Sequence, residues 1–528
     1  MTSGSNYQHY PQQPPYPQQP QQQWPQQQWQ QQPSQPQQQW QQQAEPQQQW
    51  PQQPQWQQSP PPPPPPQPSP PRRKTGLWIF LGVLAVVLTV GVGAVVGGVL
   101  NSRKQSDSPF AEETAPADPD SVVVTEKDLE ALLADHTKAL NSGDVKAYTK
   151  IFDQKNTALV QQQSRTFANL HKLPLTAVSY QARQQQGRAH DSFGRGVKFT
   201  FDVAFVHQFK GLDLAPVSEW YRWTVTKASV KAPIVITKVE GAPAPVGESK
   251  TLYYPGPWDI WPDISVVSTD HSIVLAHPKL AARAKQVAPI AEQAAVNDLT
   301  FWKKNGGKTD AIPNGFVVAL VEGQTQLGNM FRKSKANEAG VSIGLFAVPS
   351  VNDLNSQKLE IGGTRVVMDT TSPFFRTAEG TVEIFRHEFA HSTVASFDAL
   401  KGDLLSGLDK WVVEGFAEYV ANRGHPISTN VRFREGQAFV QGRLPAKFQR
   451  KLPENIYWDL QGMTSVNYLL GHLANRYIAE RYGEPKLVEF ITATYQGGKS
   501  EEALRKVLGT DAESFQRQWA AYVQQQLG

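Results

Sequence analysis

The 528-residue sequence contains no cysteine. That absence removes disulfides, thiolate metal sites, a cysteine nucleophile and a lipidated cysteine anchor. It is neutral about compartment. Long runs of lysine and arginine are also missing, and the formal net charge is only +4. Nucleic-acid binding needs a concentrated basic face, so no nucleic-acid partner is expected. Residues 1–75 lack any contiguous apolar face. They are built from glutamine and proline, with "QQQW" ending at Trp24, Trp29, Trp40 and Trp50, then a proline run over 60–66. Such a tail has no core to offset its ordering entropy and is expected to be disordered or polyproline II. It is either a solvated spacer or a docking segment for a cytoplasmic partner.

What residues 76–100 lack is charge. As a helix this apolar span would reach roughly 37 Å, longer than a hydrocarbon core of about 30 Å. It is expected to be a transmembrane helix. Arg72, Arg73 and Lys74 precede it, and Arg103 and Lys104 follow before an acidic stretch. The positive-inside rule then makes the tail cytoplasmic and residues 101–528 extracytoplasmic, a single-pass cell-membrane protein. The length of the chain calls for more than one folded unit.

Residues 101–120 read as linker. From 121 to 240 the pattern starts helical, with Leu129, Leu132, Leu133, Ala139 and Leu140 on one face. Asn141-Ser142-Gly143-Asp144 reads as a stop followed by an N-cap for a second helix. Then "VKFTFDVAFVHQF", "EWYRWTVTKASV" and "PIVITKVEG" alternate with period two, as strands do. Helices followed by antiparallel strands make an α+β unit. With the phrase "LNSGDVKAYTKIFD", this order resembles the cone-shaped nuclear-transport-factor-2-like fold. His171, His190 and His207 read as ordinary surface or core histidines. Residues 241–264, with "GAPAPVGES", read as a second linker, and 265–528 as a further domain.

The last domain contains His387-Glu388-Phe389-Ala390-His391, and Val382, Phe385, Phe389 and Val394 mark a helix around it. Histidines at i and i+4 share one helical face and can bind one metal ion. Glu388 is then placed as general base toward water. A third ligand is needed. The pattern with another histidine six residues on fails, because that position is Phe397. Asp398 and Asp403 read as loop. Glu414 follows on "DKWVVEGFAEYV", a segment long enough to fold back as a helix. Glu414 would face the metal. Glu418, one turn later, would accept from the far nitrogen of a ligand histidine.

"HEFAH" followed by "WVVEGFAEYV" resembles the gluzincin metallopeptidases, the peptidase-MA-like group that includes aminopeptidase N and thermolysin relatives. The likeness covers about 265–528 and is strongest over 380–420 and 460–525. It implies a gluzincin-type α+β domain with a mostly helical C-terminal half. It also implies one Zn2+ per chain on His387, His391 and Glu414, with Glu388 as catalytic acid/base. A tyrosine or histidine should stabilise the oxyanion; Tyr468 is the candidate, with Tyr457 and His472 as rivals. The substrate would be a peptide or protein. The aminopeptidase stretch G-x-M-E-N is absent, so endo- and exopeptidase action both stay open. The expectation is a multidomain, membrane-anchored zinc peptidase. The alternative is a catalytically silent membrane sensor or scaffold that keeps the peptidase fold.

Overall fold

The computed structural model describes residues 119–242, 255–331, 336–348, 360–397, 407–460, 462–497 and 499–528. The tail, the span 76–100, the first linker up to 118, and Asp398 and Asp403 lie outside these residues. The expectation of a single-pass membrane protein is corrected. Among the described residues no helix is long and apolar enough to cross a membrane. The longest, Ala281–Lys304, is 24 residues but carries Arg283, Lys285, Glu292 and Asp298 along its length. The described chain is a mixed α/β structure built on two principal sheets.

The N-terminal unit opens with α1 (Glu126–Asn141). Thr125 caps it, accepting from Asp128 N at 3.2 Å while Asp128 Oδ2 accepts from Thr125 N at 2.8 Å. This reciprocal pair satisfies two amides that the helix itself cannot. Leu129, Leu133, His136 and Leu140 form its buried stripe. Gly143, at φ +74°, turns the chain, and Asp144 caps α2 (Val145–Thr149) through Ala147 N at 3.0 Å. The second helix is thus a short one, and α3 (Thr157–Leu170) completes the layer.

These helices cover an antiparallel meander of β1 (Leu175–Gln186), β2 (Val197–Phe209), β3 (Val217–Lys227) and β4 (Val235–Gly241). β2 begins with the burial alternation of a half-exposed strand, but every residue from Phe201 to His207 is buried. Both faces are therefore covered along that stretch, and Val348 packs with Ala204 and Val206.

The second sheet contains β5 (Ser265–Ser268), β6 (Ser272–Ala276), β7 (Phe316–Val321), β8 (Gly340–Phe346) and β9 (Ile361–Asp369). Its order is β8-β9-β7-β6-β5, parallel across β9-β7-β6 and antiparallel at both edges. The β7 sequence "FVVALV" is buried throughout, as a strand covered on both faces must be. Phe316, Val318 and Leu320 join the interior of the C-terminal helices. Val317, Ala319 and Val321 join the interior of the N-terminal unit, with Val341 and Val367. One sheet therefore serves two cores.

Polar contacts reinforce that junction. Arg365 of β9 donates from Nη1 and Nη2 to the two oxygens of Asp213, at 2.7 and 3.0 Å, and its Nη2 lies 3.2 Å from His207 Nε2. Residues 255–264, the end of the segment read as linker, carry the buried Trp258 and Trp261, whose carbonyls accept from Asn169 Nδ2.

The other face of this sheet is covered by α4 (Ala281–Lys304), and α5 (Gln324–Phe331) follows β7 in the chain. Next come α6 (Ala378–Val394), α7 (Lys410–Ala421), α8 (Phe433–Val440), α9 (Thr464–Tyr482), α10 (Glu484–Gly497) and α11 (Ala512–Leu527). α7 and α9 cross in backbone contact. A Cβ on Gly415 would lie 2.3 Å from the Gly471 carbonyl oxygen, so that position admits only glycine at this spacing. Asn475 Nδ2 ties the crossing together, donating to the carbonyls of Trp411 and Gly471 at 3.0 and 3.1 Å.

Candidate metal centre

Helix α6 starts at Thr377, whose hydroxyl accepts from Gly380 N at 3.0 Å. From Ile384 to Val394 every residue is buried, so the helix runs through the interior and its polar side chains need partners there. Arg386 finds Asp298 of α4 at 3.0 Å and the Ala421 carbonyl at 3.2 Å. His387 and His391 instead face α7.

The gap between the two helices holds three converging ligand atoms. The Nε2 atoms of His387 and His391 are 3.2 Å apart. Glu414 Oε2 lies 3.6 Å from the first and 3.4 Å from the second. A tetrahedral ion with bonds of about 2.0–2.1 Å requires ligand atoms about 3.3 Å apart. The three separations match three edges of such a tetrahedron. This is the single group of metal-capable side chains found among the described residues. Zinc takes this nitrogen and oxygen donor set readily.

Several polar atoms here have no other occupation. Glu414 Oε2 and both carboxylate oxygens of Glu388 are buried without a hydrogen-bond partner. Buried polar atoms are normally satisfied, so a bound cation and water fit the pocket better than an empty space does. Glu388 faces the edge strand β8. A Cβ on Gly340 would lie 3.0 Å from Glu388 Cγ and Oε1, so glycine lets the strand pass beside the carboxylate.

The electrostatics follow from burial and close charges. Burial pushes Glu388 up to about 8; His387 opposes this, and the nearby carboxylates of Glu414 and Glu338 add to it. Burial would lower His387, yet Glu414 and Glu418 outweigh it and raise the imidazole to about 10. Burial disfavours the Glu414 carboxylate too, but the two histidines hold its pKa below the usual range.

Glu418 stands behind His387. Its Oε1 is 3.4 Å from His387 Nδ1, which leaves Nε2 for the metal position. Its other oxygen accepts from Arg432 Nη1 at 3.0 Å. Asn422 Nδ2 lies between Glu418 Oε2, at 3.5 Å, and Glu383 Oε1, at 3.3 Å. Neither His387 Nδ1 nor His391 Nδ1 makes a hydrogen bond, so the Glu418 contact with His387 is one of ion-pair distance.

Tyr468 is buried on α9 with its ring centroid 6.1 Å from that of His387. Trp458 and the Arg432 guanidinium flank the same ring, at 5.3 and 5.1 Å. The rivals sit differently. Tyr457 is half-exposed, and His472 packs near Tyr419, one helical turn beyond Tyr468. His387, Glu388, His391, Glu414, Glu418 and Tyr468 therefore share one locality. Sequence reasoning missed Arg432, Glu383, Asn422 and Gly340. Glu383 lies one turn before His387 on α6 and Asn422 one turn after Glu418, so counting along the helical faces would have pointed to these two. Arg432 and Gly340 lie on other elements, and no local signal points to them. No family model and no curated protein matches this chain.

Proposed function

We propose that the chain is a zinc-dependent peptidase of gluzincin type that hydrolyses peptide bonds. The carrying observation is the tetrahedral spacing of His387 Nε2, His391 Nε2 and Glu414 Oε2 beside the unpartnered carboxylate of Glu388. Zinc held by that triad would supply a Lewis acid that polarises a carbonyl and lowers the pKa of water. Glu388 takes the proton from the attacking water and passes it to the leaving amine. Its location in a dry pocket favours that role, because a carboxylate freed from solvent is a stronger base. Glu418 holds the His387 ring with Nε2 directed to the ligand position. Tyr468 is the proposed hydrogen-bond donor to the oxyanion, by its place next to His387.

The test is metal content and turnover of the purified chain on a casein-type substrate. One zinc per chain is expected. Glu388→Gln should keep the zinc and lose at least about 10²-fold in kcat, the usual weight of a general base. Absence of stoichiometric zinc, or full activity in Glu388→Gln, would falsify the proposal. Bound zinc with no hydrolysis of any peptide would instead favour a silent peptidase fold.

A further inference from the structure

We infer that Arg432 is a positioning residue that aligns the metal ligand His387 and the phenol of Tyr468 together. The inference rests on the peptidase reading above. Arg432 lies outside both helices of the triad, at the start of α8. Its backbone is held at both ends: Asn430 Oδ1 accepts from its N–H at 2.9 Å, and its carbonyl accepts from Gly436 N at 3.0 Å. The side chain then runs inward and is buried.

Two contacts leave it in different directions. Nη1 donates to Glu418 Oε2 at 3.0 Å, and the opposite oxygen of that carboxylate meets His387 Nδ1 at 3.4 Å. The guanidinium also lies over the Tyr468 ring at 5.1 Å, while the same ring is 6.1 Å from His387. Arg432, Glu418, His387 and Tyr468 therefore close a loop of contacts around one side of the triad. A buried ion pair is a poor source of stability, because desolvation offsets its attraction. It is a good source of fixed geometry when a planar donor pins a carboxylate and stacks on a ring.

The experiment compares Arg432→Met and Arg432→Lys with the full wild-type chain. Zinc affinity is read by chelator competition, and kcat and KM on a casein-derived peptide. Arg432→Met should bind zinc several-fold more weakly, a smaller loss than the roughly 10–100-fold usual for removing the partner directly behind a ligand histidine, which here is Glu418. Arg432→Lys keeps the charge but not the plane, so it should recover most zinc affinity while kcat stays low and KM is unchanged. Combining Arg432→Lys with Tyr468→Phe should lower kcat by less than the product of the two single effects.

Wild-type zinc affinity in a folded Arg432→Met variant overturns the inference. If that variant does not fold, Arg432→Lys decides: wild-type kcat, or effects that multiply fully with Tyr468→Phe, overturn it. Should the wild-type chain itself bind no zinc in the same titration, the peptidase reading falls and this inference falls with it. Wild-type zinc binding with unaltered variants removes this inference alone.

Discussion

At the residue scale, spacing carries the information. His387 and His391 are one helical turn apart, and so are Glu414 and Glu418, so each pair projects from one face whatever else the chain does. That is why the triad and the carboxylate behind it were legible before any fold was known. Arg432 was not, because its contact with Glu418 depends on how α8 packs. Burial pushes the Glu418 pKa up, but Arg432 and His387 outweigh it and hold the carboxyl below the usual range. The unfolded chain titrates this group near the ordinary value of about 4.3. The folded state therefore binds fewer protons in that window. The pair's contribution to stability is complete above the ordinary value and is lost as pH falls below it. Thermal unfolding of the metal-free chain, followed from pH 6 to pH 3, should show this loss. Glu418→Gln should remove that part of the slope; equal slopes in both proteins would contradict the assignment.

At the element scale, the alternation of β2 and β3 and the apolar stripe of α6 were readable because each has a period. The Asp144 cap was readable too, but the length of α2 was not, since a cap marks where a helix starts and says nothing of where tertiary packing ends it. The closest helix contact left only a weak trace. Gly415 and Gly471 are far apart in sequence, and neither signals that the other is its neighbour. Yet their contact sets how near α7, with Glu414, lies to α9, with Tyr468. Gly471→Ala would put a methyl 3.2 Å from Gly415 Cα and 3.3 Å from the Trp411 carbonyl oxygen. Overpacking of this kind typically costs about 1–3 kcal/mol. A lower melting temperature and weaker zinc binding are expected together. A drop in melting temperature with zinc affinity unchanged would show that the crossing does not position Glu414.

At the scale of the whole molecule, composition shifts suggested separate units, but the sheet shared between the two interiors left no trace in the sequence. Continuous apolar runs such as β7 tell that both faces are buried, but not what buries them. The N-terminal unit supplies one cover, through Val317, Ala319, Val321, Val341 and Val367 and through the Arg365–Asp213 pair. A chain cut to residues 265–528 would expose that face and leave Arg365 without Asp213. It should aggregate or melt without a sharp transition. A soluble monomer of 265–528 melting like the full chain, by light scattering and calorimetry, would show that the sheet needs no cover.

The two-sided β7 also constrains how this chain can vary. Loops can lengthen or shorten without altering which residues face inward. A single residue gained or lost within "FVVALV" would rotate every later side chain of the strand to the opposite face. Leu320, sized for the helical interior, would turn toward the N-terminal unit, and Val321 would turn toward the helices. Both interiors would be misfilled at once, including the one that holds His387, His391 and Glu414. Drift in this strand should therefore run through exchanges of similar volume, and insertions or deletions should collect in the connecting segments instead.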